Sequence, residues 1–227
     1  MKTKQDVPIS LAVVTGGHAY DVKGFHALFR RFPQYDTYIQ HMDDFCSSPE
    51  HVRDAYDVVL FYMMMGDGSS DGPDDEASPW YAGKPRAALE HLGTIAQGIV
   101  LLHHALVAYP EWEFWTTVTG LPKRKIEWEH DQDIPIHVAD SNHIVTAGVS
   151  DWTIRDETYL TDEPDENSHV VLFTDHPRST RAIAWTRKLG AARVFCYQSG
   201  HDDQAWSDTR FQRVLTNGIE WAAGART

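Results

Sequence analysis

The first half of the chain alternates between short apolar runs and segments whose apolar residues have helical spacing. The strongest run is Gly98–Leu102, where a glycine and four branched aliphatic residues predict a strand buried on both faces. The other predicted elements are strands at 9–15, Tyr35–His41 and 56–62 and helices at 22–32 and 84–95. Strands and helices alternate here as they do in a doubly wound sheet.

The second half is richer in strands and ends in an amphipathic segment. The predicted strands are 134–139, Trp152–Leu160, 169–174 and a hairpin of 182–186 with 192–198. Apolar residues from Phe211 to Ala222 recur at offsets of 0, 3, 4, 7, 8 and 11, which predicts a helix closed by Gly224. We therefore expect one domain over residues 1–227: a three-layer α/β fold with a mainly parallel central sheet, in which Gly98–Leu102 is an interior strand.

The net charge limits the partners of the chain. A formal charge of −13 over 227 residues argues against nucleic acid and against anionic membrane surfaces. The two cysteines lie far apart, which favours a reducing compartment over a disulfide framework. The apolar run at 9–14 is short for a signal sequence, and no segment approaches the roughly 18 apolar residues of a membrane span. These features predict a cytoplasmic protein with a small-molecule partner. They leave open whether the chains form a homo-oligomer.

The segment 66–76 combines glycines with acidic residues after the third predicted strand. Asp67, Asp71 and Gly72 partly resemble a calcium-binding loop, but the alternation of ligands that such loops need is missing. Glycine, serine and proline in the same segment are typical of turns. We therefore interpret the segment as a solvated acidic loop.

Histidines directly follow three of the predicted strands: His18, the pair His103 and His104, and His201. Because parallel strands end at one edge of a sheet, these side chains are expected to meet in a crevice, with imidazoles within roughly 10 Å of one another. Adjacent residues on a strand face opposite sides, so one member of the pair is expected to face away. Glu157 is expected to add a carboxylate and Tyr159 a hydroxyl. A chain with 13 histidines also places some at strand ends by chance, which is the structural alternative.

The crevice predicted at this edge of the sheet lacks the residues that covalent acyl chemistry requires. No Gly-x-Ser-x-Gly motif occurs, and Cys196 lies in an apolar run where a buried, inert thiol is expected. Two or three imidazoles and a carboxylate suit zinc or another divalent metal, although no short motif such as His-Glu-x-x-His occurs. The cofactor stays unknown at this point, with His18, His104 and His201 as candidate ligands for a divalent metal such as zinc.

Several short motifs occur in a fixed order: GGH at 16–18, LHHA at 102–105, PEW at 110–112, DETY at 156–159, AW at 184–185, RVF at 193–195, GHD at 200–202 and GIEWA at 218–222. Together, over about residues 9–224, they resemble the trehalose-utilization (ThuA-like) family. The resemblance implies a flavodoxin-like fold similar to class I glutamine amidotransferases without their cysteine nucleophile. It also implies a role in carbohydrate breakdown, beside dehydrogenases that make 3-keto glycosides. The residues that it marks are His18, His103 or His104, Glu157, Tyr159 and His201.

Residues and resemblance together predict an enzyme that acts on a sugar or an oxidised (3-keto) glycoside. A ketone acidifies the neighbouring C–H bond, and His104 or His201 is expected to remove that proton. Glu157 or Tyr159 would then protonate a leaving oxygen, and a metal would polarise the ketone. The expected substrate contacts are His103, Trp112, Asp202 and Trp206, with Trp115 as a further stacking candidate and the core as the alternative place for each tryptophan. The alternative function is a non-catalytic carbohydrate-binding or regulatory protein on an amidotransferase-like scaffold.

Overall fold

The computed structural model describes residues 7–67 and 84–224 and divides them among strands, α-helices and two short 3₁₀ helices. The strands are β1 (Ile9–Gly16), β2 (Tyr35–His41), β3 (Val58–Met63), β4 (Gly98–Leu102), β5 (Glu127–Val138), β6 (Trp152–Leu160), β7 (His169–Phe173), β8 (Ala182–Leu189) and β9 (Ala192–Tyr197). The α-helices are α1 (Val22–Arg30), α2 (Met42–Ser47), α3 (Glu50–Arg53), α4 (Lys84–Glu90), α5 (Glu113–Thr119), α6 (Asp203–Trp206) and α7 (Thr209–Ala222). The 3₁₀ helices are His103–Val107 and Ile144–Thr146. Within the described ranges, no helix is both long and apolar enough to cross a membrane.

The strands form one mixed sheet in the order β2-β1-β3-β4-β9-β8-β7-β5-β6. The pairs β1–β2, β1–β3, β3–β4 and β4–β9 are parallel, whereas β8–β9, β7–β8, β5–β7 and β5–β6 are antiparallel. The prediction of a mainly parallel sheet is therefore wrong. Helices cross over between β1, β2, β3 and β4, whereas no α-helix separates the strands from β5 to β9, and neighbours there run in opposite directions.

The interior position of β4 is confirmed. Every residue of β4 is buried, and the strand lies between β3 and β9. Val100 and Leu102 belong to one hydrophobic core, whereas Ile99 and Leu101 belong to the other, as the alternation of a strand requires. Side chains of α1 and α7 enter the first core, and side chains of α2, α4 and α5 enter the second. The sheet therefore has a helical layer on each face, and the predicted three-layer arrangement holds.

The predicted terminal helix is confirmed as α7, and it packs unusually close to the sheet. Asp208 caps the helix by accepting hydrogen bonds from the main-chain N–H groups of Arg210 and Phe211. At Gly218, an added Cβ would lie 2.1 Å from the ring of Phe195 on β9. Only glycine therefore allows this close approach, which holds α7 against the strand that leads to the predicted site.

Two local features of the backbone affect that site. β5 begins at Glu127 rather than at 134. The sequence pattern did not mark its first half as a strand, because that half is polar, largely exposed and broken by a bulge between Glu129 and Gln132. The segment after β4 is a 3₁₀ helix of five residues. Beyond Asp67, the acidic loop predicted at 66–76 lies outside the described residues.

Candidate active site

The carboxyl ends of three parallel strands bring the predicted histidines together. We call the group after β1, β4 and β9 the histidine cluster; it consists of His18, His103, His104 and His201. The ring centroids are 4.6 Å apart for His18 and His104, and 6.2 Å apart for His18 and His201. The corresponding distance between His103 and His201 is 5.3 Å. These distances agree with the expected spacing within roughly 10 Å.

The turn after β4 directs both members of the histidine pair into the cluster. His103 has a φ of 54°, in the left-handed region that non-glycine residues rarely adopt. Because this turn interrupts the strand, the alternation of faces no longer applies, and the rings of His103 and His104 lie 5.3 Å apart. The expectation that one of them faces away is therefore wrong. Backbone strain of this kind is concentrated at functional sites.

A buried hydrogen-bond network is centred on His103. Its Nδ1 lies 2.7 Å from the carbonyl oxygen of Gln198, which can only accept, so Nδ1 carries a proton. Its Nε2 lies 2.8 Å from the hydroxyl oxygen of Tyr159 and 3.1 Å from Oε2 of Glu157. Glu157 and Tyr159 are two residues apart on β6, so the strand directs both side chains to the same ring. The three side chains thus share protons around one nitrogen.

The two oxygen groups of this network are held in different protonation states. Burial alone would raise the pKa of Glu157, but the hydrogen bond and charge of His103, aided by His201, lower it below its usual value. Burial raises the pKa of Tyr159 well above its usual value, and the charge of Glu157 adds to this effect. The second carboxylate oxygen of Glu157 lies 2.9 Å from Nδ1 of the more exposed His130. Glu157 is therefore ionised near neutral pH, whereas Tyr159 keeps its proton.

Asp156, next to Glu157 on β6, fastens the turn that carries His201. Its buried carboxylate accepts hydrogen bonds from the main-chain N–H groups of Gly200 at 2.7 Å and His201 at 3.0 Å. Tyr62 holds the same turn from the other side, donating its hydroxyl to the carbonyl of His201 at 2.8 Å. Burial raises the pKa of Asp156, although the charge of His103 and the main-chain donors oppose the rise. β6 therefore supplies one carboxylate for His103 and another for the loop beside it.

His104 is almost fully buried, and its ring nitrogens make no well-aligned hydrogen bond within the described ranges. Its ring lies 4.2 Å from that of Tyr62 and 4.6 Å from that of His18. Burial lowers its pKa well below the usual value, the charges of His103 and His18 lower it further, and the Met63 main chain only partly opposes them. His104 is therefore neutral in the folded protein at pH values near 7.

We expect His104→Phe to reduce the pH dependence of folding stability. In the folded protein the pKa of His104 is depressed. Below about pH 6.5 the unfolded chain therefore binds more protons than the folded chain, and folding stability decreases as the pH is lowered. The contribution of one such group is at most about 1.4 kcal/mol per pH unit. Urea unfolding at about pH 5, 6, 7 and 8 measures the slope. Equal slopes for wild type and His104→Phe contradict the expectation, and the exposed His51→Gln is the control.

Two predicted stacking residues lie in the core instead of facing the cluster. Trp206 is only 3% exposed, and its indole N–H donates to the carbonyl of Gly200 at 2.8 Å. Trp115 is fully buried, and its indole donates to the carbonyl of Ala105 at 2.9 Å. Neither indole offers a face to a ligand, so the core alternative applies to both. The expected substrate contact of Trp206 is thus corrected to a structural contact.

Trp112 and Asp202 occupy different positions relative to the cluster. Trp112 is half-buried, and its ring packs against those of Tyr109 and Phe114 at centroid distances of 5.2 and 5.3 Å. Within the described ranges, no ring contact joins Trp112 to the histidine cluster, which does not support its expected role in stacking. Asp202 caps the N-terminus of α6, and one of its oxygens lies 3.7 Å from Nδ1 of His201. Asp202 therefore lies at the edge of the cluster.

The first half of β5 brings two residues to the site that sequence reasoning missed. The ring of His130 lies 5.1 Å from that of His201, besides its contact with Glu157. Trp128 is paired with Tyr159 in the register of β5 and β6 and is 55% exposed. Both are in a polar run without hydrophobic alternation, which hid the strand. The available signal was an aromatic residue and a histidine two positions apart in an otherwise acidic segment.

Cys196 is expected to be chemically inert. It is fully buried in β9, and burial raises the pKa of its thiol, which faces the carbonyl of Thr119. We expect Cys196→Ala to retain near-wild-type activity, and we expect the thiol of the folded protein to react slowly with iodoacetamide, followed by mass spectrometry. Rapid, stoichiometric alkylation of Cys196 that abolishes activity contradicts this expectation.

Two surface depressions of the described residues lie away from the histidine cluster. One, of about 610 Å³, is lined by His169, Arg187 and Trp221 among others. A second, of about 290 Å³, lies beside α1 and β2. Neither is lined by a residue of the histidine cluster. The perturbed pKa values and the convergent polar groups are at the strand ends, so these define the candidate site.

Two groups of side chains in the described ranges have the spacing to hold a metal ion. The first consists of His103, Glu157 and His201, with ligand atoms within 4.8 Å of one another. The second consists of Glu50, Asp54 and His91 and is exposed or half-buried. Of the three metal ligands expected from the sequence, His201 belongs to the first group, whereas His18 and His104 belong to neither.

Comparison with known proteins identifies relatives of this fold. The model of the ThuA family, described as trehalose utilisation, matches residues 47–222. No curated protein matches the chain. A solved ThuA-like protein from Parabacteroides merdae superposes with a TM-score of 0.73 at 18% identity, over 97% of this chain and 91% of that chain.

Two further structures extend the comparison. A cytoplasmic protein from Salmonella typhimurium gives a TM-score of 0.64 at 11% identity, over 93% of this chain and 98% of that chain. A protein from Thermoplasma acidophilum described as a GMP synthase subunit gives 0.55 at 13% identity, over 96% of each chain. At such identities these likenesses concern the fold, and they support the amidotransferase-like fold. The family model covers most of the chain, so the chain belongs to the ThuA (trehalose utilisation) family.

Proposed function

We propose that this protein is an enzyme of carbohydrate metabolism that acts on a sugar or an oxidised (3-keto) glycoside by acid–base chemistry. The family description, trehalose utilisation, supports the substrate class. The observation that carries the proposal is the buried unit of His103, Glu157 and Tyr159, which lies beside the more exposed His18 and His201. Groups with pKa values pushed apart within one crevice are typical of acid–base catalysts.

His201 has the better position for the general base. A keto group acidifies the adjacent C–H bond, and a neutral imidazole can accept the proton that leaves. The side chain of His201 is 23% exposed, whereas His104 is enclosed and its lowered pKa makes it a weak base. Ligand atoms of Glu157 and His201 lie within 4.8 Å of each other, so the negative charge of Glu157 is close enough to stabilise an imidazolium that forms on His201.

The proton donor is best supplied by the pair of His130 and Glu157. The lowered pKa of Glu157 leaves it without a proton to give near neutral pH, so it acts by orienting the imidazole of His130, which would give the proton. His130 lies 2.9 Å from that carboxylate, and its side chain is 58% exposed, within reach of a substrate. Tyr159 is buried against His103, so it orients that ring rather than touching a substrate.

Incubation of the protein with trehalose, other disaccharides and their 3-keto derivatives tests the proposal, with products followed by NMR. We expect turnover of at least one of these sugars, and we expect His201→Gln to lose most of it. The matched control is His51→Gln, an exposed histidine on α3, which should keep wild-type turnover. Binding of a sugar without any turnover overturns the proposal and favours the non-catalytic carbohydrate-binding alternative.

A further inference from the structure

We infer that Nε2 of His103, the carboxylate of Glu157 and the ring of His201 form a binding site for one divalent transition-metal ion of the zinc type. The site goes beyond the proposed function, although the ion would lie where the substrate is proposed to react: an ion would take the lone pair of His201, so His201 is the general base of the metal-free protein or a ligand of the metal-bound one. All three ligand atoms lie within 4.8 Å of one another. Two imidazoles and one carboxylate are a ligand set that suits zinc with an open coordination position.

The orientation of His103 is that of a metal ligand. Its Nδ1 donates to the carbonyl of Gln198 at 2.7 Å, which in the neutral ring leaves the lone pair on Nε2. That lone pair accepts the hydroxyl proton of Tyr159 at 2.8 Å, and Oε2 of Glu157 lies only 3.1 Å from the same nitrogen, so an ion would displace the hydroxyl proton of Tyr159. Metal-binding histidines characteristically donate their other N–H to a carbonyl or carboxylate, which fixes the tautomer and the ring. A cation placed against both groups would satisfy two acceptors at once.

The remaining two ligands are also held by outer contacts. Glu157 keeps Oε2 for an ion, because its Oε1 is engaged by Nδ1 of His130 at 2.9 Å. The main chain of His201 is fixed by Asp156 and by the hydroxyl of Tyr62. Supporting contacts of this kind reduce the reorganisation needed on metal binding. The exposed His18 lies beside His201, so the open side of the site faces solvent.

Titration of the metal-free protein with Co²⁺ and Zn²⁺ tests the site without any sugar. We expect one ion per chain, a visible Co²⁺ absorption spectrum, and affinity at least about tenfold weaker in His201→Gln and in Glu157→Gln. The control is His91→Gln, which removes a member of the exposed Glu50, Asp54 and His91 group and should change neither affinity nor spectrum. Loss of binding in His91→Gln alone, or no binding at all, overturns the inference.

Chelation separates this inference from the proposed function. Sugar turnover that survives exhaustive chelation leaves the acid–base enzyme standing and removes the metal from its mechanism. Conversely, tight binding of Co²⁺ at His103, Glu157 and His201 without turnover of any sugar keeps the metal site and removes the proposed reaction. Failure of the metal site and failure of the proposed reaction therefore give different experimental results.

A second inference rests on a different observation: we propose that Trp128 is the aromatic platform on which a sugar ring stacks. This also rests on the proposed carbohydrate ligand. Trp128 is the one tryptophan of the described residues that is exposed, at 55%. It lies directly opposite Tyr159 in the antiparallel β5–β6 register, and opposed residues share a face of the sheet. His130, two residues further along β5, reaches Glu157 on that same face.

The opposite face of this hairpin is already occupied by ion pairs. Arg178 contacts Oε1 of Glu129 at 2.8 Å and Oε2 of Glu127 at 3.4 Å. Alternation along β5 therefore turns Trp128 away from these charges and toward the side of the histidine cluster. An exposed indole beside convergent polar groups combines apolar stacking area with directional hydrogen bonds, which is how binding sites recognise amphipathic ligands such as sugars.

Binding of trehalose, other disaccharides and their 3-keto derivatives to Trp128 variants tests this assignment by calorimetry and by indole N–H NMR. We expect Trp128→Ala to weaken binding about tenfold and Trp128→Phe to recover most of it. The indole signal that is absent from Trp128→Phe should shift on titration of wild type. Leu160→Ala, a partly exposed neighbour on β6, is the control. Unchanged affinity in Trp128→Ala, or an indole signal that no sugar shifts, overturns the assignment.

Discussion

Replacement of Glu157 by glutamine is expected to lower kcat/KM for the sugar substrate by about 10²–10⁴-fold. Glutamine keeps the size of the side chain but removes the charge that lies between His103 and His130. The depressed pKa of Glu157 shows how strongly this environment favours the anion. Without it, the oxygens that contact Nε2 of His103 and Nδ1 of His130 no longer carry a charge. Steady-state kinetics across pH measure the loss, and any decline on the acid side that comes from protonation of Glu157 should be absent from the variant.

Glu166→Gln is the matched control, because Glu166 is exposed and lies away from β6. Thermal unfolding of both variants shows whether Glu157→Gln still folds at the assay temperature. A folded Glu157→Gln protein with wild-type kcat/KM and an unchanged pH profile is incompatible with a catalytic role for Glu157. Lost activity that follows lost stability alone would assign Glu157 a structural role instead.

Removal of the Asp156 carboxylate is expected to lower the free energy of unfolding by about 3 kcal/mol or more. Asp156→Ala leaves the N–H groups of Gly200 and His201 buried without their acceptor, together with that of Glu157. Hydrogen bonds to a charged group contribute about 1.5–3 kcal/mol each, and they are not strictly additive. Asp156→Asn retains one acceptor oxygen and should lie between alanine and wild type. Urea unfolding measures all three proteins.

Asp133→Ala is the control for this comparison. Asp133 lies on the same hairpin, but its ion pair with Arg155 is exposed, and such pairs contribute roughly 0–1 kcal/mol. If Asp156→Ala costs no more than Asp133→Ala, the carboxylate does not fasten the turn. The turn also carries His201, so Asp156→Asn should lower turnover more than its loss of stability explains.

The strands, and the positions of the histidines just after their carboxyl ends, could be predicted from the sequence. Gly98–Leu102 is a continuous apolar run, and only a strand covered on both faces accommodates it. β2 and β6 have the predicted bounds, because their local patterns are clear. Parallel pairing brings the ends of β1, β4 and β9 to one edge of the sheet, so the meeting of His18 and His201 followed from topology alone.

Tertiary structure alone decided which side chains complete the cluster. The polar first half of β5 has no apolar period, so only pairing with β6 makes it a strand and brings His130 to Glu157. The left-handed turn at His103 is a backbone conformation that no local pattern marks, and it directs both His103 and His104 into the cluster. Trp115 and Trp206 were indistinguishable from ligand-binding aromatics until their neighbours were known. Local patterns encode burial and period, whereas the partners of a polar side chain depend on segments far away in the chain.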